Sequence, residues 1–313
     1  MKSANAAVKA SVLKKTKTLA RGILIYGLLG LLVYVIIFPF IAKISASFMS
    51  WNDMQDRTVA LIPREPTLDN YRLVISNIGY HVALGGSLLV SGISAVAQTF
   101  ICAMAGYALA KLKGKLANLV MFLVVVTIVI PPQVIMIPLF LKFRFFDVLG
   151  LINLFTGNTI NMIDSIAPMT ILSLTGYGLK NGLFIFVMRQ FFKGVPEELE
   201  EAALIDGYGI FRTYLKIVLP VSIPILITVF ILAFSWQWTD TFYSNVFFNR
   251  FPLLARAVFM THWLPPFSPH ETAYFTNILL HTGVLLAIVP LVALFAVAQK
   301  WLVTGIERSG IVG

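Results

Sequence analysis

The sequence predicts an all-α membrane protein: a polytopic bundle of about six transmembrane helices carrying one cytoplasmic helical hairpin. Three observations lead there. Hydrophobic residues make up 58% of the 313 positions, charged residues only 12%, and mean hydropathy is +0.86, a balance foreign to soluble globules. Six segments, 22–42, 81–109, 118–139, 167–192, 217–238 and 276–301, approach the roughly 20 apolar residues that a hydrocarbon core of about 30 Å demands. Basic residues, finally, concentrate in the segments that an inside N-terminus places in the cytoplasm.

Taken in order, residues 1–21 form a basic cytoplasmic tail with Lys2, Lys9, Lys14, Lys15, Lys17 and Arg21. A single transmembrane domain follows at 22–305, and 306–313 is a second cytoplasmic tail. The first span is too long for the 7–15-residue apolar region usual in a secretory signal, and five more follow it, so cleavage is rejected. The outside stretch 43–80 carries Pro63, Pro66 and a helix start at Thr67 before Leu68, Asp69 and Asn70, which argues a folded loop. In the second span Cys102 is the sole cysteine; it reads as a packing residue and excludes an intrachain disulfide.

Lys111, Lys113 and Lys115 return the chain inside, and Pro131, Pro132 and Pro138 punctuate the third span, where missing N–H groups allow kinks. Lys180 sits inside the fourth apolar segment, a position costing about 2.5–3.5 kcal/mol at mid-membrane. Two readings follow. Either the span starts later, leaving Lys180 near the outer surface, which is the favoured reading, or Lys180 faces a wet cavity and pairs with an acid such as Asp164. Arg189, Lys193, Arg212 and Lys216 mark the next inside segment, and Lys300 and Arg308 the last, while the outside loops hold eight basic residues. The net charge of +10 is thus disposed toward anionic lipid, with no exposed basic domain for nucleic acid. His281, alone in the sixth span, reads as a bundle-packing residue.

One inside segment is longer than the others. Pro196 suits the first helical position, and Glu197, Glu198, Glu200 and Glu201 put negative charge at the positive end of the helix dipole. Leu199, Ala202, Ala203 and Asp206 recur at i, i+3, i+4, i+7, a face whose small side chains permit close approach. Gly207 and Gly209 break the helix; Ile210, Phe211, Tyr214 and Leu215 give the second turn an apolar face, and Leu219, Pro220 and Pro224 lead into the fifth span. Two short helices meeting at an angle are expected.

Glu201-Ala202-Ala203, Gly207, Ile217, Leu219 and Pro220 have the spacing of the EAA motif, and the chain thereby resembles permeases of ATP-binding-cassette importers. Asp206, Phe211 and Pro224 widen the match. Residues 61–63, 66–71, 107–110, 131–133, 137–139 and 189–192 resemble the carbohydrate-type branch. The spacing departs from that branch at 152–180, which is longer and carries Asn158, Asn161, Asp164 and Lys180.

The resemblance implies a bacterial or archaeal cytoplasmic (inner) membrane protein, both termini inside, that imports a sugar or oligosaccharide. Its implied partners are a second, paralogous permease subunit, two ATPase subunits that bind ATP and Mg, an extracytoplasmic solute-binding protein and membrane lipid. Residues 193–217 become the coupling hairpin. Glu201 would make a charged or hydrogen-bonded contact with an ATPase subunit, Ala202 and Ala203 would pack closely, Gly207 would turn the chain, and Asp206, Phe211, Ile217, Leu219 and Pro220 would complete the docking set. This chain itself is expected to carry no cofactor, metal or catalytic group: Gly114-Lys115 lacks the upstream glycine and following hydroxyl of a nucleotide-binding loop.

For solute contact, Trp236, Gln237, Trp238, Asp240 and Tyr243 are the best local cluster, with Lys180 as a further candidate, because sugars bind to aromatic faces and planar polar groups. An interfacial aromatic belt competes with that reading, and more so for Trp51 and Trp263. The same machinery could instead take a polyamine or phosphate ester. A gradient-driven secondary transporter would favour acids within the spans, and an intramembrane enzyme would need Glu197 or Glu198 beside a histidine at membrane depth; neither pattern is present.

Overall fold

The structure is a computed structural model that describes the backbone of residues 2–56, 58–260 and 269–309 and the side chains of 19–56, 58–259 and 276–302. Arg57, Trp263 and the side chains of the tails at 1–18 and 306–313 lie outside the described residues. Among those described, structure is helical apart from one bridge pairing Phe146 with Ile160. The chain divides into two compact units, Met1–Val74 with Trp263–Leu285, and Ile75–His262 with Leu286–Gly313.

In the first unit α1 (Lys2–Ser47) leaves Leu19, Ile23, Leu32, Ile36 and Phe40 exposed, as a helix solvated by lipid requires. The stretch after it is folded, as its sequence suggests. α2 (Trp51–Gln55) is capped by Ser50, whose side chain accepts from the Asp53 N–H. At the start of α3 (Asp69–Asn77), buried Asn70 donates from Nδ2 to the carbonyls of Ser47 (3.0 Å) and Met49 (2.9 Å), and Tyr71 shares a 2.7 Å hydrogen bond with Ser47 Oγ. Two carbonyls orphaned at the end of α1 are thereby satisfied.

The second unit is organised around α4 (Tyr80–Lys111). Small residues on this helix, Ala83, Ala95, Ala103 and Gly106 among them, are buried, and they let α8 (Ala167–Leu174), α9 (Asn181–Lys193) and α13 (Ile223–Thr239) pack closely against it. Gly106 is required there: a Cβ would lie 2.5 Å from Met188 Cβ. Cys102 is buried in the same seam, its thiol 3.7 Å from the Asn181 carbonyl.

Three of the expected spans are uninterrupted, at 19–47, 80–111 and 276–302; the other three are broken. α5 (Lys115–Val129) ends where Ile130, forced extended by the following proline, opens a 93° bend at Pro131 and Pro132 into a 3₁₀ turn (Pro132–Ile135) and α6 (Met136–Arg144). The continuous fourth span expected at 167–192 is two helices, α8 and α9. Gly176 (φ +80°) and Lys180 (φ +64°) turn the chain between them, and Asn181 Nδ2 donates to the Ser173 carbonyl at 3.0 Å to hold the break. The fifth begins at Ile223 rather than 217: Pro224 cannot donate to the carbonyl four residues back, and the axis bends by 78°.

In α15 (Pro269–Ser309) proline has a different consequence. Pro290 supplies no N–H to the Leu286 carbonyl, which instead accepts from the Tyr80 hydroxyl at 3.2 Å. At the next residue, the Ala287 carbonyl accepts from Trp238 Nε1 at 3.0 Å. Between α6 and α8, α7 (Leu151–Thr156) is flanked by left-handed Gly150 and Gly157.

Candidate coupling hairpin and solute-side cluster

The hairpin forms as two helical legs. Pro196 is the residue before the first helix rather than its first member (φ −56°, ψ 131°), and α10 runs Glu197–Ile205 with Glu197, Glu198 and Glu200 in its first turn. It ends in a paired C-terminal motif: the Gly207 N–H donates to the Leu204 carbonyl (3.1 Å) and the Tyr208 N–H to the Ala203 carbonyl (2.9 Å), with Gly207 left-handed at φ +81°. Gly209 is extended (φ −75°, ψ 163°) and needs no glycine freedom, so the break belongs to Gly207 alone. α11 (Ile210–Thr213) then passes through a π turn (Tyr214–Val218) into α12 (Leu219–Val221). Tyr208 steadies this leg, with Arg212 and Lys216 held 5.5 and 5.7 Å from its ring centre.

The expected docking residues divide between two faces. Glu201, Ala202, Asp206, Gly207, Phe211 and Pro220 are exposed, Ile217 and Leu219 half-buried, and Ala203 is turned inward at 3% exposure, where its small side chain packs within the chain itself. The outer face is apolar where a water-facing loop ought to be polar: Ile205, Ile210 and Phe211 are 86%, 74% and 67% exposed. Exposed Glu198, Glu201, Asp206 and Arg212 lie close to them in the chain, a setting costly to bury in hydrocarbon. An apolar patch rimmed by charge is the signature of a protein contact.

Sequence spacing did not single out Glu200, yet it is the acid that faces inward. Its carboxylate lies 2.8 Å from Lys111 Nζ through Oε1, an ion pair off the line of an ideal hydrogen bond, and accepts from the Tyr107 hydroxyl at 3.2 Å through Oε2. Tyr107 in turn lies with its ring centre 4.9 Å from that of Tyr214 and 5.5 Å from that of Phe192. The signal available in the sequence was the helical offset: Glu200 and Ala203 are three apart and share a face. Beside these contacts a cavity of about 520 Å³ separates α4 from the hairpin, lined by Met104, Ala108, Leu204, Ile210 and Phe211.

At the other end, the solute candidates are not brought to one open surface. Trp236 is half-buried beside Phe184, 5.4 Å between ring centres, and Lys180 Nζ lies 5.8 Å from its ring centre. Gln237 and Trp238 are 4% and 5% exposed, and Tyr243 is buried against Phe242 and Phe247. Asp240 is spent on local structure: it accepts from the N–H groups of Tyr243 (3.3 Å) and Ser244 (2.8 Å) at the start of α14 (Phe242–Phe247). Burial pushes its carboxyl above the ordinary value, against those same donors.

Lys180 and Asp164 do not pair. Asp164 accepts from the backbone N–H groups of Asn249 (2.9 Å), Arg250 (2.8 Å) and Phe251 (2.8 Å), tying two loops together. Slight burial works to raise its pKa, but the three donors and the Arg250 charge outweigh it and hold the carboxyl below the ordinary value.

Comparison with known proteins bears on the family and the fold. The family profile described as "Binding-protein-dependent transport system inner membrane component" matches residues 100–308. The chain is 28% identical over 276 residues to the probable starch degradation products transport system permease protein AmyC of Thermoanaerobacterium thermosulfurigenes, covering 87% of this chain and 90% of that protein. It is 28% identical over 303 residues to the arabinooligosaccharides transport system permease protein AraQ of Halalkalibacterium halodurans, covering 96% and 99%. Among solved structures, a chain of a bacterial ABC transporter involved in import of the acidic polysaccharide alginate shares the fold, with TM-score 0.69, 22% identity and coverage of 89% of this chain and 95% of that one.

Proposed function

The chain belongs to the family of binding-protein-dependent transport system inner membrane components, and we propose that it is one permease subunit of an ATP-driven importer of a sugar or oligosaccharide. The observation that carries the proposal is the exposed apolar face of Ile205, Ile210 and Phe211 beside Glu201 and Ala202, on a hairpin whose legs continue directly into membrane helices. A soluble ATPase subunit that covers this face, binding ATP and Mg itself, pushes on two helices at once. A second permease completes the pathway, and an extracytoplasmic binding protein delivers solute to the opposite ends. The N- and C-termini and the hairpin share the cytoplasmic side under this reading.

The relatives named for starch degradation products and arabinooligosaccharides support a carbohydrate solute. Within this chain, Trp236 with Lys180 is the pair still accessible to it; Gln237, Trp238, Asp240 and Tyr243 are buried. The test is purification of the tagged chain from its own cells in mild detergent, with mass spectrometry of what accompanies it. Recovery of an ATP-binding-cassette ATPase and a second permease is the expected result. A stable chain that drives gradient-dependent uptake without them refutes it.

A further inference from the structure

We infer that Glu200, Lys111 and Tyr107 form a latch that makes α4 a driven element of the transport cycle, an inference resting on the hairpin being the ATPase-docking element. The hairpin is joined covalently to α9 before it and to α13 after it, and those connections alone would carry a push into two helices. The structure adds a third route. Glu200 reaches across to the last turn of α4, where Lys111 Nζ stands 2.8 Å from one carboxylate oxygen and the Tyr107 hydroxyl 3.2 Å from the other.

The link is shielded, the Lys111 and Glu200 side chains being 28% and 14% exposed, so salt screens it far less than a surface pair. It also bridges a gap: much of the space between this end of α4 and the hairpin is the 520 Å³ cavity lined by Met104, Ala108, Leu204 and Phe211. A hairpin packed solidly on α4 would need no latch. At this end the hairpin meets α4 through the Glu200 link and the Tyr107–Tyr214 ring pair, 4.9 Å between centres, beside the indirect route through α9. The same turn of α4 is bound to α9, with Arg189 Nε donating to the Leu109 carbonyl at 3.1 Å and Gly106 in contact with Met188, so displacement of Lys111 is passed along a rigid helix to its far end. Glu200 is therefore a positioning residue, distinct from Glu201, which faces outward.

The experiment uses the complete complex carrying Cys102→Ala and His81→Cys, which puts the one thiol of this chain at the exposed far end of α4. The maleimide labelling rate is compared with and without ATP and Mg. In the parent it changes with ATP. In Glu200→Gln and in Lys111→Glu the ATP-dependent change falls by about fivefold or more, the scale of an ordinary coupling between sites, while ATPase subunits still co-purify and hydrolyse ATP. The exchange Lys111→Glu with Glu200→Lys restores it. An unaltered change in either single variant overturns the latch, as does a parent whose labelling ignores ATP while hydrolysis proceeds. Loss of the ATPase from the single variants also overturns it, by making Glu200 part of the docking face. The docking reading fails separately, if Phe211→Asp retains the ATPase in full.

Discussion

At the hairpin, Ile205, Ile210 and Phe211 are exposed; at the opposite end of the second unit, Phe247, Phe248 and Leu254 are at most 1% exposed. Both ends join membrane helices and both are rich in apolar side chains, but only one closes on itself. The closed end uses its acids internally, Asp240 capping α14 and Asp164 gathering three N–H groups of the neighbouring loop. At the hairpin Glu200 is used in this way and Glu197 lies 4.0 Å from Lys113 at the surface, while other charges lie beside an open apolar face. An end satisfied within the chain holds shape, whereas an unsatisfied one is completed by something else.

The largest effect should come from the closed end. Phe247 sits in a cluster with Phe143, Tyr243, Phe248 and Leu253, its ring edge-on to Phe143 at 5.3 Å. Phe247→Ala leaves a cavity there and should cost about 3–5 kcal/mol. Because Cys102 is the only cysteine and is fully buried, the temperature at which its thiol becomes reactive reports unfolding directly. A midpoint unchanged from the parent would mean that this end is not the self-sufficient one.

Gly207→Val comes next. A β-branched residue at φ +81° is strained by about 1–3 kcal/mol, and the paired C-terminal bonds of α10 must rearrange. The damage should stay in the hairpin: ATPase recovery falls sharply while the Cys102 midpoint moves by less than for Phe247→Ala. Equal losses on both measures would dissolve the distinction between the ends.

What could be read from the sequence, and what could not, follows the same division. The hairpin was legible because its signals are local: Pro196, an acidic first turn, Gly207 and the apolar spacing all act within one helical turn of where they sit. Even so, which glutamate turns inward depended on Lys111 and Tyr107, some ninety residues away. The spans at 19–47, 80–111 and 276–302 were legible from length and composition. The breaks were not, since hydropathy is blind to direction: 167–192 is apolar enough on average to read as one span, while left-handed Gly176 and Lys180 turn the backbone within it. The solute cluster read as a surface because its residues are adjacent in sequence, but a helix points neighbours to different faces, and Gln237 and Trp238 went to the interior.

The two closed-end acids should titrate with opposite sign. Asp164 is held below its ordinary value, so its stabilisation is present above about pH 4 and is lost as pH falls through the folded value. Asp240 is pushed up, so the folded chain binds that proton more tightly than the unfolded one and stability falls as pH rises through its folded value. Asp164→Asn should therefore remove part of the acid-side loss at a cost of about 1 kcal/mol at neutral pH, the low end because the amide oxygen can still accept from these N–H groups, without the charge. Cys102 exposure followed against pH checks it; an unchanged acid limb would sink the assignment.

The smallest change in stability should accompany a large change in assembly. Ile205 is 86% exposed and makes almost no use of its side chain within the fold, so Ile205→Asp should shift stability of the isolated chain by no more than about 0.5 kcal/mol. In the assembled complex, however, the same substitution buries a carboxylate against an apolar surface, where an unpaired charge is heavily penalised. A normal Cys102 midpoint together with loss of the co-purifying ATPase is the expected pair of results. The pairing matters more than either number. A destabilised chain would mean that the hairpin's outer face already serves the fold, and a normal chain that keeps its ATPase would mean that the partner covers some other face.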